Sequence, residues 1–164
     1  MKADHMPIPA LKEDKEEILE LYRMQIGREF CPWDEHYPAE SEIDYDLSRD
    51  ALFVMKDGSG KIIAAISIDL DENVEALECW SRGLRPGGEL SRLAVHCNFQ
   101  NRGIARKMLE HGMKVLRERG YKSVHFLVNK NNLKALKSYA ALDITQVGEC
   151  FMYDQPFLCF EKRL

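Results

Sequence analysis

The chain has 164 residues, 45% of them hydrophobic and 30% charged, with a formal net charge of −4. That balance fits one folded domain, residues 1–164, and excludes a disordered chain. The slight acidity gives no general reason to expect a nucleic acid or an acidic membrane surface as partner. No apolar stretch approaches the ~20 residues that span a bilayer, and the first residues hold no apolar run of the signal-peptide kind, so the cytoplasm is the expected compartment.

From Lys12 to Arg28, Ile18, Leu21, Tyr22 and Ile26 recur at helical spacing among Glu and Lys, which predicts an amphipathic helix. The stretch after Cys31 carries two prolines, Trp33 and Tyr37, and predicts a short helix through Ile43 and Leu47. Between Cys31 and Ser48 stand Asp34, Glu35, Glu40, Glu42, Asp44 and Asp46 with no Lys or Arg, an acidic run that suits either a solvated helix face or the rim of a site for a cation. "ALFVMKDGSGKIIAAISIDL" reads as a β-hairpin about a DGSG turn. Its GSGK is not a phosphate-binding P-loop, because that motif needs glycine and Ser/Thr where Met55 and Ile62 stand.

A Gly-rich connection, "SRGLRPGG", leads to a strand from Leu90 to Val95, then a helix over 101–119 that stops at Gly120. "SVHFLV" is a further strand and "NNLKALKSYAAL" a short helix. The last two runs form a hairpin turned at Gln155-Pro156. The five cysteines, Cys31, Cys79, Cys97, Cys150 and Cys159, are odd in number and lack a C-x-x-C pair, so neither a disulfide framework nor a zinc ribbon is expected, and no metal site.

Chemistry concentrates in "ELSRLAVHCNFQNRGIARKML". Gly103 and Ala105 fall at the opening of a helix whose first N–H groups lack partners and whose dipole is positive there; Arg102, Arg106 and Lys107 add mobile charge. A diphosphate fits such a turn. So does a solvated basic face, paired as Arg106 with Glu110 and Glu110 with Lys114.

An apolar strand ending in "RLAV", then Q-x-x-G-x-A opening a helix, then a strand and "N-x-x-A-x-x-x-Y", resembles the GCN5-related N-acetyltransferase (GNAT) superfamily between Glu89 and Tyr139. The resemblance implies an α/β fold with a mixed, mostly antiparallel sheet, splayed between two central parallel strands, and helices on both faces. It implies acetyl-CoA as co-substrate. Gln100, Arg102, Gly103, Ile104, Ala105 and Arg106 would hold the pyrophosphate, and the backbone of Leu93 and Val95 the pantetheine, with the Val95 N–H polarising the thioester carbonyl. Tyr139 is the implied acid for the departing thiolate; Asn132, Ala135 and Tyr139 share one helix face. Asn132 and Ala135 are implied cofactor contacts, and Asn132 is equally a helix cap. Glu89 matches the implied base, with Glu78 and His96 as other candidates.

Where such proteins commonly carry Gly-Phe after the tyrosine, this chain has Asp143-Ile144; a left-handed turn at Asp143 is tolerable, since Asp visits that region more readily than most residues. Trp33, Glu35 and Tyr37 are the expected acceptor contacts, for a small-molecule or peptide amine, cationic on approach. A homodimer is a possible state. A non-catalytic acyl-CoA-binding module and an acyl-homoserine-lactone-type synthase are the alternative functions.

Overall fold

The computed structural model describes residues 5–29 and 31–164, which form two compact units. Residues 5–68 and 92–112 make up the described part of the first, residues 69–91 and 113–164 the second.

In the first unit, strand β1 (Ile8–Pro9) pairs antiparallel with β2 (Leu52–Lys56), and β2 with β3 (Ile62–Asp69). The C-terminal half of β4 (Gly87–Val95) follows β3 in the sheet order. The alternation along β2 sends its side chains to opposite faces. Leu52 and Val54 join Ile18, Leu21 and Tyr22 of helix α1 (Lys15–Met24) and Ile43 of α2 (Glu40–Ser48) in one core. Phe53 meets the ring of His111, on α4 (Ile104–Glu118), at 5.0 Å. Helices therefore cover both faces, and β2 and β3 are buried almost throughout.

The expected first helix over 12–28 is a single 3-10 turn followed by α1, which ends at Met24. The helix expected over 101–119 starts only at Ile104, because Asn101 (φ 59°) and Gly103 (φ 77°) are left-handed and cannot propagate it.

In the second unit the order is β4, β5 (Ser123–Asn129), β7 (Gln155–Arg163), β6 (Thr145–Met152). β4 and β5 are parallel through Gly87–Glu89 and Ser123–His125; β5–β7 and β6–β7 are antiparallel. The sheet is thus mixed and mostly antiparallel. Phe126 packs its ring on Tyr139 of α5 (Leu133–Ala141) at 4.8 Å. The neighbouring side chain on β5, His125, points to the other face and stacks on Trp80 at 4.5 Å, beyond the one-turn helix α3 (Glu72–Glu75).

Two expectations are corrected here. The strand expected from Leu90 begins at Gly87: both glycines belong to it because a Cβ at Gly88 would stand 2.4 Å from the Leu116 side chain, and one at Gly87 would stand 2.8 Å from Ser123 Oγ. The last hairpin turns at Tyr153-Asp154, both left-handed (φ 54° and 59°), and Gln155-Pro156 already lie in β7. Asp143 does take the left-handed turn, at φ 58°.

Candidate active site

The first unit carries the turn that the resemblance implies as the pyrophosphate site. Extended β4 is interrupted at Arg92, whose φ is 50°. Its guanidinium is held by Asp46, with Nη2 2.8 and 2.9 Å from the two carboxylate oxygens. Asp46 is fully buried; it also accepts from Ser67 Oγ at 2.6 Å and from Arg49 at 2.7 Å. A left-handed non-glycine residue in a strand costs of order 1 kcal/mol, and a buried pair with a full set of hydrogen bonds fixes it there. Arg92 was not singled out in the sequence. The available signal was an arginine inside an apolar strand, which when buried requires an anion; its partner, 46 residues away, had no sequence mark.

Beyond Arg92, Leu93 is half-buried and Val95 buried. The Val95 carbonyl accepts from the side-chain amides of Gln25 (3.0 Å) and Gln100 (3.2 Å), and the His96 N–H donates to Ile63 O at 2.8 Å, on the β3 side. Since the N–H groups of successive extended residues point opposite ways, the Val95 N–H points away from β3.

The turn 100–103 then delivers α4. The Lys107 N–H donates to Gly103 O at 3.2 Å, so the N–H groups of Ile104, Ala105 and Arg106 precede the first α-helical hydrogen bond. Gly103 has open space where a Cβ would stand. Left-handed, open and at the positive end of a 15-residue helix, it leaves the kind of backbone approach that could hold an anion such as a pyrophosphate. Arg102 lies over the Phe99 ring at 5.2 Å. Arg106 pairs with Glu110 at 3.0 Å; further along α4, Lys114 pairs with Glu118, not with Glu110.

The acidic run after Cys31 is largely spent on structure. Asp46 is the buried anchor of Arg92, Asp44 pairs with Lys15 at 2.8 Å, and Glu42 accepts from the Ala39 N–H at 2.8 Å. Trp33 packs on Tyr22 at 5.5 Å, Glu35 is exposed beside His36, and the Tyr37 hydroxyl accepts from Arg92 Nη1 at 3.1 Å. The cations paired with this run are Arg49, which directly follows it, and Lys15 and Arg92, which lie elsewhere in the chain.

The second unit carries Tyr139 and Glu89, the residues that the resemblance implies as acid and base. Tyr139 on α5 is buried between the rings of Phe126 and Phe160, and burial raises its phenol pKa well above the usual value, so it keeps its proton through the neutral range. Asn132 caps α5, accepting from the Ala135 N–H at 3.1 Å.

Glu89 is 5% exposed. It faces His125 across the parallel pair, and His125 faces Glu161 across the antiparallel one, so Glu89, His125 and Glu161 form a row over three strands. His125 Nε2 is 2.8 Å from Glu75 Oε1, and one side-chain nitrogen or oxygen each of Glu75, Glu89 and His125 lies within 4.8 Å of the others. Glu161 accepts from Ser81 N–H and Oγ. A cavity of about 500 Å³ opens beside this row, lined by Glu75, Trp80, Arg85, Gly87, His125 and Glu161 among others. Of the other base candidates, Glu78 is exposed. His96 is buried, and its Nδ1 accepts from the Asn98 N–H at 3.1 Å. Burial raises the thiol pKa of Cys31, Cys79 and Cys159, which keeps them protonated and poor nucleophiles.

Residues 16–143 match the acetyltransferase (GNAT) family. Similar solved structures include a ribosomal-protein-alanine N-acetyltransferase from Brucella melitensis (19% identity, 97% of this chain and 99% of that one, TM-score 0.76). A putative acetyltransferase from Salmonella typhimurium, solved with its cofactor acetyl-CoA, is 16% identical over 99% and 95% of the two chains, TM-score 0.75. The ribosomal-protein-S18-alanine N-acetyltransferase of Escherichia coli is 16% identical over 97% and 93%, TM-score 0.73.

Proposed function

Because this chain belongs to the acetyltransferase (GNAT) family, we propose that its acetyl transfer is directed at a primary amine that arrives as a cation and attacks directly within a ternary complex. The chain is an acetyl-CoA-dependent N-acetyltransferase, with acetyl-CoA as co-substrate. The observation that carries the donor assignment is the open, left-handed Gly103 at the unpartnered start of α4.

In this reading the Ile104 and Ala105 N–H groups, with Gln100, Arg102 and Arg106, hold the pyrophosphate. Leu93 and Val95 offer backbone to the pantetheine. The Val95 N–H points at the oxygen on which negative charge develops, a donor of the kind worth about 3 kcal/mol. Glu89 takes the proton from the acceptor ammonium, and Tyr139 returns one to the departing thiolate. Asn132 and Ala135, on the helix face that Tyr139 shares, contact the cofactor. We read residues 1–164 as one such domain; the family match draws on residues of both units.

For the acceptor, Trp33, Glu35 and Tyr37 stay as rim contacts for a small-molecule or peptide amine. Two of the similar structures are named for acetylating the alanine of a ribosomal protein, which makes a protein α-amine one member of that class.

The test has two arms. Gly103→Glu fills the cradle and adds a negative charge; calorimetry should show acetyl-CoA affinity reduced at least a hundredfold, roughly 3 kcal/mol. Unchanged affinity removes the donor site. Tyr139→Phe should lower turnover about a hundredfold on whichever member of an amine panel the native protein acetylates, followed by thiol release. Native turnover in that variant would give the thiolate's proton another source.

A further inference from the structure

A base buried as deeply as Glu89 has to discharge its proton once per turnover, and water reaches it poorly. The groups around it form a graded path outward. Glu89 is 5% exposed and His125 1%. The Glu75 side chain is 35% exposed and stands on the wall of the 500 Å³ cavity. We propose that His125 is the exit for the proton that Glu89 takes from the acceptor amine, passing it through Glu75 to solvent in that cavity. This rests on the reading of Glu89 as base. His125 acts through Glu89 and does not touch the acceptor, so it is a positioning residue.

The geometry suits transfer in one direction. Nε2 lies 2.8 Å from a carboxylate oxygen, which can only accept, so Nε2 carries the proton and Nδ1 the lone pair. Trp80 stacked on the ring and the Glu75 bond fix its plane. Gly87 makes room for it: a Cβ there would stand 2.9 Å from His125 Nδ1. A carboxylate oxygen of Glu89 lies within 4.8 Å of one of the ring nitrogens, a span short enough for one water to bridge.

The ammonium gives one proton to the Glu89 carboxylate, leaving neutral amine and a carboxylic acid. Glu89 gives that proton to the imidazole, which becomes an imidazolium with a proton on each nitrogen. The imidazolium gives one proton to Glu75, and Glu75 gives it to water. Exchange with cavity water restores the starting tautomer, so one proton has moved from amine to solvent and no group is changed. Three carboxylates lie on the ring's side of the sheet or against it, Glu75 from α3, Glu89 from β4 and Glu161 from β7; Arg85 lines the same cavity, and Tyr153 lies close enough to Glu89 to feel its charge.

The test uses the full chain with acetyl-CoA and two acceptors, spermidine and a peptide beginning with alanine, read by thiol release. In His125→Ala, kcat should fall about a hundredfold, with the KM for acetyl-CoA within about twofold of native. Added imidazole should restore kcat in proportion to its free-base concentration, because the vacated ring position opens on the cavity. His125→Gln, which keeps volume without relaying protons, should lose kcat and melt as native; Glu75→Gln should show a smaller loss. These two variants carry the test if the alanine variant does not fold. Native kcat in His125→Gln, or no rescue by imidazole in a folded His125→Ala, overturns the exit route while Glu89→Gln still fails. Native kcat in Glu89→Gln overturns the base, and with it this proposal, as does a native protein that acetylates neither amine.

Discussion

Each unit buries a cluster of charge, and the two clusters are built differently. Around Asp46 permanent cations outnumber the anion: one carboxylate meets Arg92 and Arg49, each within 2.8 Å, and also accepts from a serine hydroxyl. Around His125 the carboxylates are in the majority: Glu75, Glu89 and Glu161 lie about one imidazole, and the cluster opens on a cavity. A carboxylate held by permanent cations fixes backbone, here the left-handed Arg92 on which the last part of β4 depends. Carboxylates gathered about a histidine are groups that can change charge, the kind reaction chemistry uses. Burial alone therefore does not tell the two clusters apart; the sign and kind of the buried charges do.

Substitutions can break this contrast. The largest effect on stability is expected from Asp46→Ala, which strands two guanidinium groups and should cost about 3–5 kcal/mol in urea unfolding. The double variant Asp46→Leu, Arg92→Met should recover a good part of that cost yet bind acetyl-CoA more weakly, since the left-handed residue loses its anchor. A double variant that binds as native would show that the anchor matters only for stability. Glu89→Gln removes one like charge from the second cluster and should leave the melting temperature unchanged or raised, although turnover fails. A fall comparable to that of Asp46→Ala would put both clusters in the same class.

The smallest effect concerns pH. Burial, with Lys61 adding to it, lowers the His96 pKa below its ordinary value. The unfolded chain therefore binds this proton more readily than the folded one. The stability from keeping His96 neutral is present above its unfolded pKa, about 6.5, and is lost as pH falls below that value toward the folded pKa. His96→Gln should flatten the stability–pH curve across that window. An unaltered slope would assign the acid sensitivity to other groups.

The sequence was most informative where one residue type answers a local demand. The DGSG hairpin, the Asn132 cap and the left-handed Asp143 all follow from short-range chemistry. It was least informative where the demand comes from a distant partner. Gly87 and Gly88 read as a loose connection because nothing nearby in the chain reveals that His125 and Leu116 will need the space. Pro156 reads as a turn residue, whereas the turn falls on Tyr153-Asp154, and a left-handed tyrosine has no sequence signature. The acidic run after Cys31 has the same origin in part: Lys15 and Arg92 come from other segments, so the run is more neutral in space than in sequence. In the candidate site, motif spacing is what marks the Gln100–Ala105 turn and Tyr139 as candidates, while Asp46–Arg92 and Glu75–His125 exist only through tertiary contact.

The peptide joining Val95 to His96 is held at both ends: its carbonyl by Gln25 from the end of α1 and by Gln100 from the turn before α4, its N–H by Ile63 of β3. Three separate segments would have to move before that plane could rotate, which leaves the adjoining Val95 N–H with little torsional freedom. A dipole locked in direction before a ligand arrives has no reorientation left to undergo when charge builds up beside it, and in water that reorientation is a large part of the barrier. The two glutamines, neither of which need touch a reacting atom, would then act on the rate through stiffness alone.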